Sequence, residues 1–104
     1  MTIEALRKLC TDQTIYMTKH AAIRIRERGI SLNSIKAVIG SGEIIAQYPD
    51  DHPYPSCLVL GFLPLHRPLH VVVGLSDKAL WIITSYFPDK AQWETDYKTR
   101  KEDA

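Results

Sequence analysis

The segment His20-Ala-Ala-Ile-Arg24-Ile-Arg26-Glu27-Arg28-Gly29 carries one imidazole and two guanidiniums at intervals of four. On a helix that spacing puts His20, Arg24 and Arg28 on one face. An imidazole titrating near neutrality can take or give a proton, and a guanidinium binds a phosphate through two parallel N–H donors, so the set suits phosphodiester chemistry. A second imidazole stands in Arg67-Pro68-Leu69-His70-Val71, and a phenol in Thr84-Ser85-Tyr86-Phe87-Pro88-Asp89. Read as one site, His20 and His70 are the acid and base facing each other across a cleft. Arg24, Arg28 and Arg67 hold the phosphate there, and Tyr86 orients it or stacks on a base. Each residue also has a plainer reading: a rim arginine pairs with a carboxylate or lies over apolar surface. A histidine among strand valines is satisfied by a carbonyl or a tyrosine hydroxyl, and Tyr86 is a half-buried strand residue.

The remaining composition narrows the classes. Thirteen Lys and Arg against twelve Asp and Glu give a net charge of only +1 in 104 residues, so any polyanion site is local and not the whole surface. Lys19, Arg24, Arg26 and Arg28 cluster with the single acid Glu27. His66 and His70 with Cys57 and His52 invite a zinc reading, but Pro68 interrupts the four-residue spacing and no Cys-x-x-Cys or His-Glu-x-x-His pattern occurs. No metal site is therefore expected. Gly40-Ser41-Gly42 precedes a strand and does not open a helix, so no nucleotide cofactor is expected. Two cysteines are too few for a disulfide framework and point to a reducing cytoplasm. The N-terminal stretch lacks the apolar core of a signal peptide, and no apolar run approaches membrane-spanning length.

The elements that must position these residues divide into helices, then strands. Ile3, Leu6, Leu9 and Cys10 recur at helical spacing behind Thr2, predicting a helix over 3–10. Thr18 caps a second helix that Gly29 closes, and Ser31 caps a third, with Leu32, Ile35, Val38 and Ile39 as its stripe, ending at Gly40-Ser41-Gly42. Four strands follow, Glu43 to Tyr48, Cys57 to Phe62, Leu69 to Leu75 and Leu80 to Phe87, the last three as an antiparallel meander. The expectation is one α+β domain over 1–104, its N-terminal helices packed on a four-stranded, mostly antiparallel sheet, with 98–104 a frayed tail.

As an ordered set, His20-x3-Arg24-x3-Arg28-Gly29-Ile30-Ser31, Gly42-Glu43-Ile44-Ile45 to Tyr48-Pro49-Asp50-Asp51, Arg67-Pro68-Leu69-His70-Val71-Val72 and Thr84-Ser85-Tyr86-x-Pro88-Asp89 resemble a small prokaryotic family of unknown function over residues 18–93. That family in turn resembles the RelE/ParE and BrnT toxins. The resemblance implies a RelE/ParE toxin-like fold, metal-independent endoribonuclease activity, and RNA and an antitoxin-like protein as partners. It marks His20, Arg24, Arg28, His70 and Tyr86 as the polar signature. The alternative is a non-catalytic interaction module that uses the same stripe for an acidic protein partner or a homodimer rim, which the near-neutral charge favours.

Overall fold

Three hydroxyl caps start the three helices of the chain, of which a computed structural model describes residues 1–102. The Thr2 hydroxyl accepts from Ala5 N–H at 3.2 Å, Thr18 from Ala21 N–H at 3.1 Å and Ser31 from Ser34 N–H at 3.0 Å. Each bond satisfies one of the donors that a helix start leaves unpaired. They open α1 (Ile3–Lys8), α2 (Lys19–Glu27) and α3 (Leu32–Ser41). Helix α1 is two residues shorter than its apolar spacing predicts, because Leu9 leaves the helical conformation.

The end of α2 is fixed by Gly29, whose φ of +71° is costly for any residue with a Cβ. Gly29 N–H donates to Arg26 O at 3.0 Å and Ile30 N–H to Ile25 O at 3.1 Å, and both isoleucines are buried. This is a Schellman closure, and it holds Arg28 at the helix C-cap with a defined direction. Helix α3 follows after four residues, 28–31, and lies over the sheet. Gly61 makes that approach workable, since a Cβ there would meet Val38 Cγ1 at 2.8 Å.

The strands β3 (Ser56–Leu63), β4 (Arg67–Leu75) and β5 (Leu80–Tyr86) form the expected antiparallel meander, and β2 (Glu43–Tyr48) extends it by pairing antiparallel to β3. A fifth strand, β1 (Ile15–Met17), corrects the expected count of four: it pairs parallel to β5, giving the order β1-β5-β4-β3-β2 and a mixed sheet. Three residues are too few to show an alternation, and only the partner strand makes this segment extended. The class is α+β, with three helices and a five-stranded open sheet.

Alternation along the strands gives the sheet two distinct faces. Cys57, Val59, Leu69, Val71, Val73, Leu80 and Ile82 point toward the helices and meet Leu6, Ile25, Ile35, Val38 and Ile39 in one buried cluster. The outer face is ordered in rows by the register: Leu60–His70–Tyr86, Leu58–Val72–Thr84 and Ser56–Gly74–Trp81. After Phe87 the chain folds back over the first of these rows. Trp93 pairs with Arg100, Glu94 N–H donates to Thr99 O at 2.8 Å, and Lys101 N–H donates to Gln92 O at 3.0 Å. Asp96 caps the turn through Lys98 and Thr99 N–H, and Lys98 Nζ lies 2.7 Å from Glu43 on β2. Residues 98–101 of the stretch expected to fray are thus held in this lobe, and 103–104 lie outside the described residues.

Candidate functional site

His70 is the one histidine with no exposed surface among the described residues. Its place on β4 sends the ring to the outer face, under the C-terminal lobe. Nε2 lies 2.8 Å from Tyr97 O and Nδ1 lies 3.3 Å from Tyr86 Oη, while the Trp93 ring stands edge-on at 4.5 Å. A backbone carbonyl can only accept, so Nε2 carries the proton and Nδ1 is the lone pair that receives the Tyr86 O–H. Burial pushes the His70 pKa below its usual value, with the Tyr97 carbonyl opposing, which favours the neutral form that this pattern needs. Across the same pair, Ser85 Oγ donates to His70 O at 2.8 Å and ties β5 to β4.

Tyr86 is half-buried beside this ring. Burial raises its pKa first and the Tyr48 phenol raises it further, whereas the Arg100 and Arg28 guanidiniums pull it down. The phenol therefore keeps its proton at neutral pH and lies within the field of two fixed cations. Arg28 reaches this point because β1 covers only the first part of β5, pairing as far as Ile82. Beyond that the β5 edge is open, and Arg28 Nη1 donates to Ser85 O at 2.9 Å and to Thr84 Oγ1 at 3.1 Å. Arg100 arrives from the C-terminal lobe with its guanidinium 5.5 Å from the Trp93 ring.

The structure divides the residues singled out by sequence. It brings His70, Tyr86 and Arg28 together. Arg67 lies over the Phe87 ring at 4.6 Å, and Phe87 packs against the helix-side core, so this guanidinium is on the opposite side of the strand end from Tyr86. His20 and Arg24 are exposed on α2. Eight residues of helix put His20 about 12 Å along the axis from Arg28. Helix α2 buries Ala21 and Ile25 on the side of the sheet away from the His70 ring. His20 and His70 therefore do not face each other across a cleft: the sheet and the C-terminal lobe enclose one and leave the other in solvent.

Two parts of the arrangement escaped the sequence reading. Arg100 belongs to the stretch expected to fray and Tyr97 stands just before it, and the available signal was Trp93, a large apolar residue in a charged segment. The other is an exposed aromatic row on the outer face, in which the Trp81 ring lies 5.3 Å from Tyr16 and 6.5 Å from Tyr54. Tyr16 and Trp81 are cross-strand neighbours only because β1 exists. Neither thiol is a candidate nucleophile: burial raises the pKa of Cys10 and pushes that of Cys57 up to about 11. Among the described residues no cluster of three or more His, Cys, Asp or Glu could hold a metal, and no helix is long and apolar enough to cross a membrane.

The family model described as a domain of unknown function, DUF4258, matches residues 17–87, which run from the last residue of β1 to the residue after β5 and include His20, Arg24, Arg28, Arg67, His70 and Tyr86. No curated protein and no solved structure matches the chain.

Proposed function

The chain belongs to the DUF4258 family, and we propose that it is a metal-independent endoribonuclease whose scissile phosphate is held at Tyr86 between Arg28 and Arg100. The observation that carries this reading is the Tyr86 phenol, hydrogen-bonded to the lone pair of a buried histidine, with Arg28 bound to the neighbouring Ser85 carbonyl and Arg100 on the lobe above it. The resemblance to RelE/ParE and BrnT toxins supports it. In this mechanism the 2′-hydroxyl gives its proton to Tyr86 Oη while the Tyr86 proton passes to His70 Nδ1. The 2′-oxygen attacks phosphorus, the P–O5′ bond breaks, and water protonates the departing 5′-oxygen. The products are a 2′,3′-cyclic phosphate and a 5′-hydroxyl, and the imidazolium returns its proton through Tyr86 to the hydroxide that the water leaves. Arg28 and Arg100 stabilise the charge that accumulates on the phosphorane oxygens. His20 has no part in the proton transfer, a change from the paired-imidazole scheme that the sequence suggests.

The test is cleavage of a 5′-labelled RNA in EDTA, with the product ends identified. Tyr86→Phe and Arg28→Ala should each slow cleavage by about 10²–10³-fold, whereas His20→Ala cuts at the wild-type rate. Uncut RNA, or Tyr86→Phe cutting normally, ends this reading. A second reading, a non-catalytic module that binds an acidic antitoxin-like protein, is favoured by the exposure of His20 and Arg24 on one side of α2. It requires that Arg24→Glu abolish a specific complex while RNA stays intact.

A further inference from the structure

The proposed chemistry leaves unused the other end of the outer sheet face. There Thr18, Asp51, His52, Pro53, Tyr54, Gly74, Trp81 and Ile83 border a groove of about 510 Å³, within the usual size range of small-molecule sites. Its floor is apolar and aromatic, and its polar groups are confined to the rim. Tyr54 and Trp81 line it with ring planes only 20° apart and centroids at 6.5 Å. That spacing is that of an offset-stacked aromatic pair, which lines the groove with adjoining ring faces on which a flat, unsaturated ring can stack. Gly74 sits directly opposite Trp81 in the register, and its missing side chain leaves the indole uncovered from the β4 side. Asp51 is fixed by the Ser56 hydroxyl at 2.6 Å, and with His52 it supplies hydrogen-bonding groups at the groove edge.

Charge selects among flat ligands. Thr18, which borders the groove, is also the N-cap of α2, so the exposed Lys19 and His20 follow it directly in the chain. Arg24 follows on the stripe that ends at Arg28. From Trp81 to Tyr86 the strand spans about 16 Å at roughly 3.3 Å per residue. Aromatic rings at one end and arginines at the other, joined by a cationic edge, match a single strand whose base stacks while its backbone runs past the cations. An apolar peptide would use the rings and leave the cations without a partner.

We propose that the Tyr54–Trp81 groove is a nucleobase subsite, which holds an unpaired base of single-stranded RNA by stacking while the backbone runs along the β5 edge toward Arg28 and Tyr86. This rests on the RNA reading above for its ligand but not on cleavage. The test is titration of the full chain with an adenylate hexanucleotide and with the same sugar-phosphate strand lacking bases, read in the wild type by tryptophan fluorescence, because Trp93 is buried and Trp81 is not, and in the variants by the anisotropy of a dye-labelled strand. The base-bearing strand should quench the emission and bind about tenfold or more tighter than the abasic one, with Trp81→Ala losing both effects and Trp81→Phe keeping most of the affinity. Gly74→Ala supplies a second variant: its Cβ would meet Ile83 at 3.5 Å and Trp81 at 3.8 Å, ordinary contacts, so the fold is retained while the floor is raised. It should weaken hexanucleotide binding several-fold. Equal binding of the two strands, unchanged affinity in Trp81→Ala, or quenching by a proline-rich peptide but not by the hexanucleotide overturns the subsite. Base-dependent quenching of an RNA that is not cut supports it and overturns only the cleavage. RNA cut with an unchanged KM in Trp81→Ala overturns the subsite and leaves the cleavage standing.

Discussion

The two ends of the outer sheet face are made from similar residues and have opposite fates. At one end His70 and Tyr86 lie beneath Trp93 and the Tyr97 carbonyl, and at the other Trp81 and Ile83 remain open beside Tyr16 and Tyr54. The difference follows from chain direction. Strand β5 begins at Leu80 and ends at Tyr86, so the segment that leaves it can fold back only over the Tyr86 end. Covering that end excludes water from a polar pair, fixes the histidine tautomer and orients the phenol between cations. Leaving the other end open preserves aromatic surface for contact. Enclosure sets the chemistry of one end, and exposure sets the use of the other.

Removing the cover should have the largest effect. Trp93→Ala takes away a ring that is 7% exposed and strips the shield from His70, with an expected cost of about 3–5 kcal/mol in urea unfolding. Trp81→Ala at the open end should cost less, about 1–2 kcal/mol, because that ring is only partly buried. Equal losses at the two sites would remove the distinction between the ends.

A pH series sharpens the comparison further. Above pH 6.5 the imidazole of His70 is neutral in both the folded and unfolded chain, and it contributes no pH dependence. Below the usual value of 6.5 the unfolded chain takes up a proton that folded His70, with its lowered pKa, refuses. Stability should therefore fall as pH drops below 6.5, by up to about 1.4 kcal/mol per pH unit until the folded pKa is passed. In His70→Gln this component of the acid destabilisation disappears. The smallest effect is expected at the open β5 edge. Thr84→Val deletes one bond to Arg28 and leaves the bond to Ser85 O, for a loss of about 1 kcal/mol or less in thermal unfolding.

Much of the frame was legible because it rests on local chemistry. Thr18, Ser31 and Gly29 act within a few residues of themselves, through a cap hydroxyl or a left-handed backbone, so their positions in the sequence mark helix ends. The four longer strands could be read from β-branched runs and their turns, each within about two residues of its bounds. Strand β1 was not legible, since Ile15-Tyr16-Met17 is extended only because Leu80, Trp81 and Ile82 lie beside it. The site was legible in part. His20, Arg24 and Arg28 share a stripe by spacing alone, but only Arg28 meets an open strand edge, and spacing does not say where a helix sits on a sheet.

His70 shows the limit most clearly. Its residue type and strand neighbours raised both a catalytic and a buried reading, and alternation could not choose a face. The choice fell to Trp93 and Tyr97, more than twenty residues away, which bring a ring and a carbonyl to it from a lobe with little periodicity of its own. By itself the sequence determined the α+β class, the helix ends and the chemical inventory, since hydroxyl caps, glycine φ and alternation act over short range. Only the tertiary structure decided that His70 serves Tyr86 instead of facing His20, and that Trp81 stays open. Burial and the lone-pair accounting of a histidine depend on which distant segments fold over it.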